Sequence, residues 1–173
     1  MVCLRVLTTN DWPLWREARL AALTEAPHAF KSRLGDWDRG GEELWRARLE
    51  APGTYNVVAS LDDRTVGMAS GVPGDGGVCE LRSVWVGPDA RGLGVADRLI
   101  AAVETWARRS EATTLKLAVI PGNEPAVALY RRNGFVLTDE RGALLPDGVT
   151  TEQVMAKPLG RADSGISARP KAG

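Results

Sequence analysis

Histidine and cysteine are nearly missing from this chain of 173 residues, which has one of the first and two of the second. Cys3 and Cys79 lie far apart and cannot build a disulfide framework. His28 stands without neighbouring ligand residues in the sequence, so no metal site is read. Nowhere does an apolar run approach the ~20 residues that cross a bilayer. The first ten residues also lack the apolar stretch of a secretion signal, so a cytoplasmic location and no membrane partner are expected. Net charge is absent too: 22 Lys and Arg balance 22 Asp and Glu. A general nucleic-acid binder carries a basic excess, so no nucleic-acid partner is expected.

What is present is an ordinary globular composition, 44% hydrophobic and 25% charged, at a length that suits one domain. Residues 1–159 read as that domain. Residues 160–173, rich in Gly, Arg, Ala and Ser without periodicity, read as a flexible tail. The spacing predicts a strand over Cys3 to Leu7, with Leu4 and Val6 on one face. A helix follows, capped by Asn10 or Asp11, with Pro13 in its first turn. A second helix is expected at Glu42 to Glu50, then a hairpin of Tyr55 to Leu61 and Thr65 to Val72. Val78 to Val86 is the next strand. Its apolar positions Leu81, Val84 and Val86 break the alternation across Arg82-Ser83, which implies a bulge.

After that strand the chain reads Arg91-Gly92-Leu93-Gly94-Val95-Ala96 and opens into a helix with a stripe of Leu99, Ile100, Val103 and Ala107. A Gly-rich turn at a helix N-terminus offers bare amides and positive potential, a fit for phosphate oxygens. The loop lacks the Lys-Ser/Thr of a Walker sequence, and Asp97 stands where a dinucleotide fingerprint needs Gly or Ala. Thr114 to Ile120 is a further strand. Asn123 opens a helix that Gly134 ends, and Phe135 to Thr138 with Thr150 to Lys157 form a last antiparallel pair.

Arg91 to Ala96 resembles the Arg/Gln-x-x-Gly-x-Gly/Ala loop of the GNAT N-acetyltransferases. Glu80 to Pro88 before it, and Asn123-Glu-Pro-Ala-Val-Ala-Leu-Tyr130 with Gly134-Phe135 after it, are similar to that family's flanking signatures. The resemblance covers residues 2 to 159 by element order and is most specific over 78 to 136. It implies a mixed, splayed sheet of six to seven strands with helices on both faces. It also implies acetyl-CoA as cosubstrate: its diphosphate on the amides of Arg91, Gly92, Leu93, Gly94, Val95 and Ala96, its pantetheine arm along Val84, Trp85 and Val86, and a contact from Asn123. The acceptor would be a primary amine on a small molecule or a protein. A homodimer is compatible with the family.

Amine acetylation needs a proton acceptor for the ammonium and a donor for the departing thiolate. Glu80 stands six residues before Val86, the offset at which the histone-acetylating branch of the family keeps its glutamate base. It reads either as that base or as a strand-edge carboxylate paired with Arg82. Tyr130 occupies the position of the family's general-acid tyrosine and otherwise reads as a core tyrosine. Asn123 also explains itself as a helix cap, and Arg91 as a solvated loop arginine. Cys79 and Glu80 point to opposite faces of the strand, which argues against an acyl-cysteine. Direct transfer in a ternary complex is expected. The second hypothesis is a non-catalytic acyl-CoA-binding regulatory module. Acceptor recognition is expected from Trp12 to Trp37 (Trp37 in particular), Pro73 to Gly77 and Ala143 to Val149.

Overall fold

A computed structural model describes residues 1–25 and 41–160. His28, Trp37 and nearly all of the expected tail lie outside the described residues. Among these residues seven strands form one sheet: β1 (Val2–Val6), β2 (Tyr55–Leu61), β3 (Arg64–Pro73), β4 (Val78–Val86), β5 (Thr114–Val119), β6 (Val136–Leu144) and β7 (Thr151–Pro158). Their order across the sheet is β1-β2-β3-β4-β5-β7-β6. Every neighbouring pair is antiparallel except β4 and β5. Among the described residues four α-helices accompany the sheet: α1 (Trp12–Glu25), α2 (Glu42–Glu50), α3 (Val95–Arg109) and α4 (Glu124–Arg132). Among the described residues no helix is long and apolar enough to cross a membrane.

Alternation along the central strands divides the core into two layers. Val57 and Ala59 of β2, Leu81 of β4 and Leu115 and Leu117 of β5 pack with Leu99, Ile100 and Val103 of α3. On the opposite face Val58, Met68 and Trp85 pack with Trp15, Ala18 and Ala22 of α1 and Trp45 of α2. Helices therefore cover both faces. Leu99 and Trp45 are completely buried, and truncating a leucine so placed costs about 3 kcal/mol.

Local geometry corrects several expected boundaries. β1 ends at Val6, which is 54% exposed instead of sharing the core face of Leu4. Leu7 turns inward out of the ladder, and its amide donates to Asn56 O at 2.8 Å. Neither Asn10 nor Asp11 caps α1 directly. A 3-10 turn, Thr9–Asp11, enters the helix, and the Asp11 carboxylate takes the Thr8 amide at 2.8 Å and Arg5 Nη2 at 2.6 Å. β5 stops at Val119, one residue early. β6 runs on to Leu144 instead of ending at Thr138. It is an edge strand, so Asp139, Glu140 and Arg141 can stay solvated within it.

The feature that positions the site is how briefly β4 and β5 meet. Only Val78, Cys79 and Glu80 pair with Thr114, Leu115 and Lys116; beyond them the strands diverge. The break in alternation at Arg82-Ser83 is the expected bulge: Met68 opposes Trp85 and Ser70 opposes Arg82, so Ser83 and Val84 share Ala69. Ser83 takes φ 58°, a left-handed conformation unusual for serine. α4 lies after the splayed ends. Asn123 caps it, its side-chain oxygen accepting from the Ala126 amide at 3.4 Å. Its C-terminus closes with Gly134 N–H on Arg131 O and Phe135 N–H on Tyr130 O, both at 3.0 Å.

Candidate active site

Two cavities follow the splay. The smaller, about 370 Å³, is lined by Val86, Arg91, Gly92, Gly94, Val95, Ala96 and Arg132. Gly92 and Gly94 sit at φ 79° and 74°, and a Cβ on either would meet nothing within 4 Å. Both positions are therefore bare backbone facing open space, in a conformation that L side chains avoid. Gly94 is the N-cap of α3 without a side-chain cap. Arg98 is the first amide of that helix to find a backbone acceptor, Gly94 O at 3.2 Å. The amides ahead of it are left for a ligand, and the helix dipole makes that ligand an anion. These residues fit a diphosphate.

Arg91 is engaged more closely than a solvated loop arginine would be. Its Nη2 meets Glu25 Oε1 at 2.6 Å, and its Nε donates to Val86 O at 3.2 Å. Glu25 also takes Trp85 Nε1, at 2.9 Å. Across the cavity Arg132 is held by Asp97 at 3.0 Å. Asn133 donates to the same carboxylate at 2.9 Å, and this bond leads in holding Asp97 below the usual carboxylate range.

The larger cavity, about 540 Å³, has Glu80, Arg82 and Val84 of β4 on one side and Lys116, Glu140, Gly142, Glu152 and Val154 of β5, β6 and β7 on the other. Arg19 of α1, Arg48 of α2 and Tyr130 of α4 complete it. Glu80 and Tyr130 therefore face one space. Glu80 is held by Arg82 in a fork, Nε to Oε1 at 2.9 Å and Nη2 to Oε2 at 3.0 Å. Tyr130 is half-buried, its ring meets Phe135 edge-on at 6.0 Å, and its hydroxyl has no hydrogen bond among the described residues. Burial pushes its phenol up to about 12. It keeps its proton at neutral pH, which leaves the hydroxyl able to donate.

Three positively charged groups went unseen in the sequence. Arg19 is buried, and desolvation followed by repulsion from Arg48 brings its guanidinium down to about 10. Desolvation lowers Arg48 as well, with the Arg82 charge adding to it. Lys116 pairs with Glu140 at 2.5 Å. Of these, Arg19 left a signal: it is a charged residue between Ala18 and Ala22, on the apolar stripe of α1. The loop 73–77 lines neither cavity, being at the closed end of the splay where Gly77 O accepts the Thr113 amide at 2.8 Å. Cys79 is buried in the core, and desolvation raises its thiol against a backbone hydrogen bond from Gly74.

Comparison with known proteins agrees with this fold. The profile of the acetyltransferase (GNAT) family matches residues 15–135. Mycothiol acetyltransferase of Clavibacter sepedonicus is 32% identical over 136 residues, 78% of this chain, which spans only 42% of that protein's length. A GNAT-family acetyltransferase from Streptococcus pneumoniae shares the fold with a TM-score of 0.74 at 19% identity, over 92% of this chain and 100% of its own. A Salmonella typhimurium protein solved with its cofactor acetyl-CoA superposes with a TM-score of 0.73 at 21% identity, over 100% of this chain and 99% of its own. The chain belongs to the acetyltransferase (GNAT) family.

Proposed function

We propose that this protein is an N-acetyltransferase that moves the acetyl group of acetyl-CoA to a primary amine within a ternary complex. One observation carries the reading. A single bulged strand, β4, joins the anion cradle to a cavity holding both a phenol donor and carboxylates, with Val84 lining one space and Val86 the other. Family membership and the acetyl-CoA-bound neighbour support the choice of thioester.

When bound, acetyl-CoA supplies an activated acyl carbon. The amides of Gly92 to Ala96 hold its diphosphate, with Arg91 as a charge-assisted donor once it turns from Glu25. The inner edge of β4 beyond Glu80 has no strand partner among the described residues, so the backbone groups of Val84 and Val86 that point there are available to the pantetheine amides and the developing oxyanion. The Val86 carbonyl is available once Arg91 Nε leaves it, while Trp85 lies between them with its own groups toward Met68 of β3. Asn123 faces neither cavity, and its cap role stands beside a proposed cofactor contact. Tyr130 donates to the leaving sulfur. Glu80 is the base that the family pattern nominates, and it would serve only with the Arg82 fork open, since that fork holds both its oxygens. The acceptor is a small-molecule or protein amine, the site of action the cytoplasm, and a homodimer fits the same reading.

The test is to mix the chain with acetyl-CoA and an amine panel and follow free thiol. Initial-rate lines that intersect support direct transfer. Tight coenzyme A binding without thiol release on any amine supports the regulatory acyl-CoA module instead.

A further inference from the structure

We infer that Glu152 accepts the proton given up by the acceptor's ammonium group; the assignment rests on the transferase reading above. Three carboxylates face the larger cavity, one each from β4, β6 and β7. Arg82 occupies both oxygens of Glu80, at 2.9 and 3.0 Å. Lys116 Nζ takes Glu140 at 2.5 Å. Glu152 has no hydrogen bond or ion pair among the described residues, so its lone pairs are the ones presented to an incoming cation.

Its place is built by the backbone opposite. A Cβ at Gly142 of β6 would come within 2.9 Å of Glu152 Cβ, so the missing side chain makes room for the glutamate stem. On β7 Glu152 shares its strand face with Val154, which also lines the cavity. Tyr130 enters the same space from α4, so proton donor and proton acceptor approach one reacting centre from different elements. The other charges facing it are the Arg82–Glu80 pair of β4, the Lys116–Glu140 pair of β5 and β6, Arg19 of α1 and Arg48 of α2. Arg82 feels the Glu152 charge directly, as a minor contribution beside its bond to Glu80.

The atoms balance. One ammonium proton passes to Glu152. The nitrogen pair then forms the C–N bond, and the C–S bond breaks with its electrons on sulfur. The second nitrogen proton reaches sulfur by way of the Tyr130 hydroxyl, which gives one and regains one. Glu152 releases its proton to solvent, leaving N-acetyl amine, coenzyme A thiol and one H⁺.

The experiment measures kcat/KM against pH with alaninamide, spermidine and a hexapeptide with a free N-terminus, in native chain and variants. Glu152→Gln should lose about 100-fold at pH 7. That deficit should shrink to within about 5-fold by pH 10 for alaninamide and the hexapeptide, whose α-amines are almost wholly neutral there, and should shrink less for spermidine, whose lysine-like amines are only about a quarter neutral. Gly142→Ala, which shifts the glutamate without removing it, should give a smaller loss of the same pH shape. Unchanged coenzyme A affinity in both variants reports an intact fold. Glu152→Gln within about 3-fold of native at pH 7, or a deficit equal at every pH, overturns the assignment and leaves the transferase reading standing. Absence of turnover by the native chain on all three amines overturns both.

Discussion

Arg19 on the buried face of α1 donates from Nη1 to Ser83 Oγ at 3.2 Å, so a helix holds the residue that makes β4 bulge. Ser83 stays at φ 58°, where a Cβ costs about 1–2 kcal/mol. Glycine carries no such penalty. Ser83→Gly should keep stability within about 1 kcal/mol of native, because relief of strain offsets the lost hydrogen bond. Ser83→Val, branched and unable to accept from Arg19, should cost about 2 kcal/mol or more. Urea denaturation of the two variants makes the comparison.

Gly94 gives a different outcome, since its surroundings are open. A methyl at φ 74° strains the backbone without a clash. Gly94→Ala should therefore cost only about 1 kcal/mol of stability. Coenzyme A affinity should fall about 10-fold or more, as the new methyl stands among the amides that face the diphosphate. Calorimetric titration with coenzyme A, beside a melting curve, separates the two effects.

Glu25 competes with any phosphate for Arg91, to which it is bound at 2.6 Å. Glu25→Gln keeps an oxygen for Trp85 Nε1 and removes the charge. Coenzyme A should bind several-fold more tightly in this variant, about 1 kcal/mol, and with a steeper dependence on salt. Equal affinity at low ionic strength would mean that Arg91 never leaves Glu25.

Tyr130→Phe should preserve the fold and lower kcat by about 100-fold, because only the hydroxyl departs from the cavity. With the phenol at about 12, the native enzyme should show no loss of rate from tyrosine ionisation up to pH 10. A pH profile of kcat checks both statements.

Glu104 links α3 to β7. Burial would raise its carboxyl, but Lys157 at 2.9 Å and Arg108 at 3.0 Å prevail and hold it below the ordinary value. The folded state then favours the ionised form, so this stabilisation is present above the unfolded carboxylate range and is lost as pH falls through the folded value. Glu104→Gln should be about 1 kcal/mol less stable at pH 7. The gap should close below about pH 4, as urea melts at the two pH values would record.

Much of this architecture was legible because it is written locally. The Gly92-Gly94 turn, the cap at Asn123, the stop at Gly134 and the break in alternation at Arg82-Ser83 each act through neighbours within a few residues. The hairpin at Asp62-Asp63 belongs with them, its two residues at φ 50° and 63°. Thr8 was overlooked although Asp11 follows it by three, a spacing that itself marks a cap. What escaped was assembled over distance. Glu152 lies in an ordinary Thr-Glu-Gln-Val run and gains meaning only from Gly142 across the ladder. The pairing of Glu80 with Arg82 was foreseeable, since residues two apart share a strand face. Which of the cavity's carboxylates would be spoken for depended on Lys116 and Glu140, 24 positions apart.

Because β4 and β5 touch through three residue pairs, the described residues carry four unpaired strand borders where a continuous seven-stranded sheet would have two. Two of these borders are internal and face each other across the wedge, beside α4. Main-chain groups that would elsewhere invite another chain to add a strand are here kept from doing so by the protein's own shape. On the proposed reading a ligand threaded between them would finish the sheet as a borrowed strand would, so the inner-edge amides of β4 beyond Glu80 should exchange with solvent like those of an outer edge until it arrives.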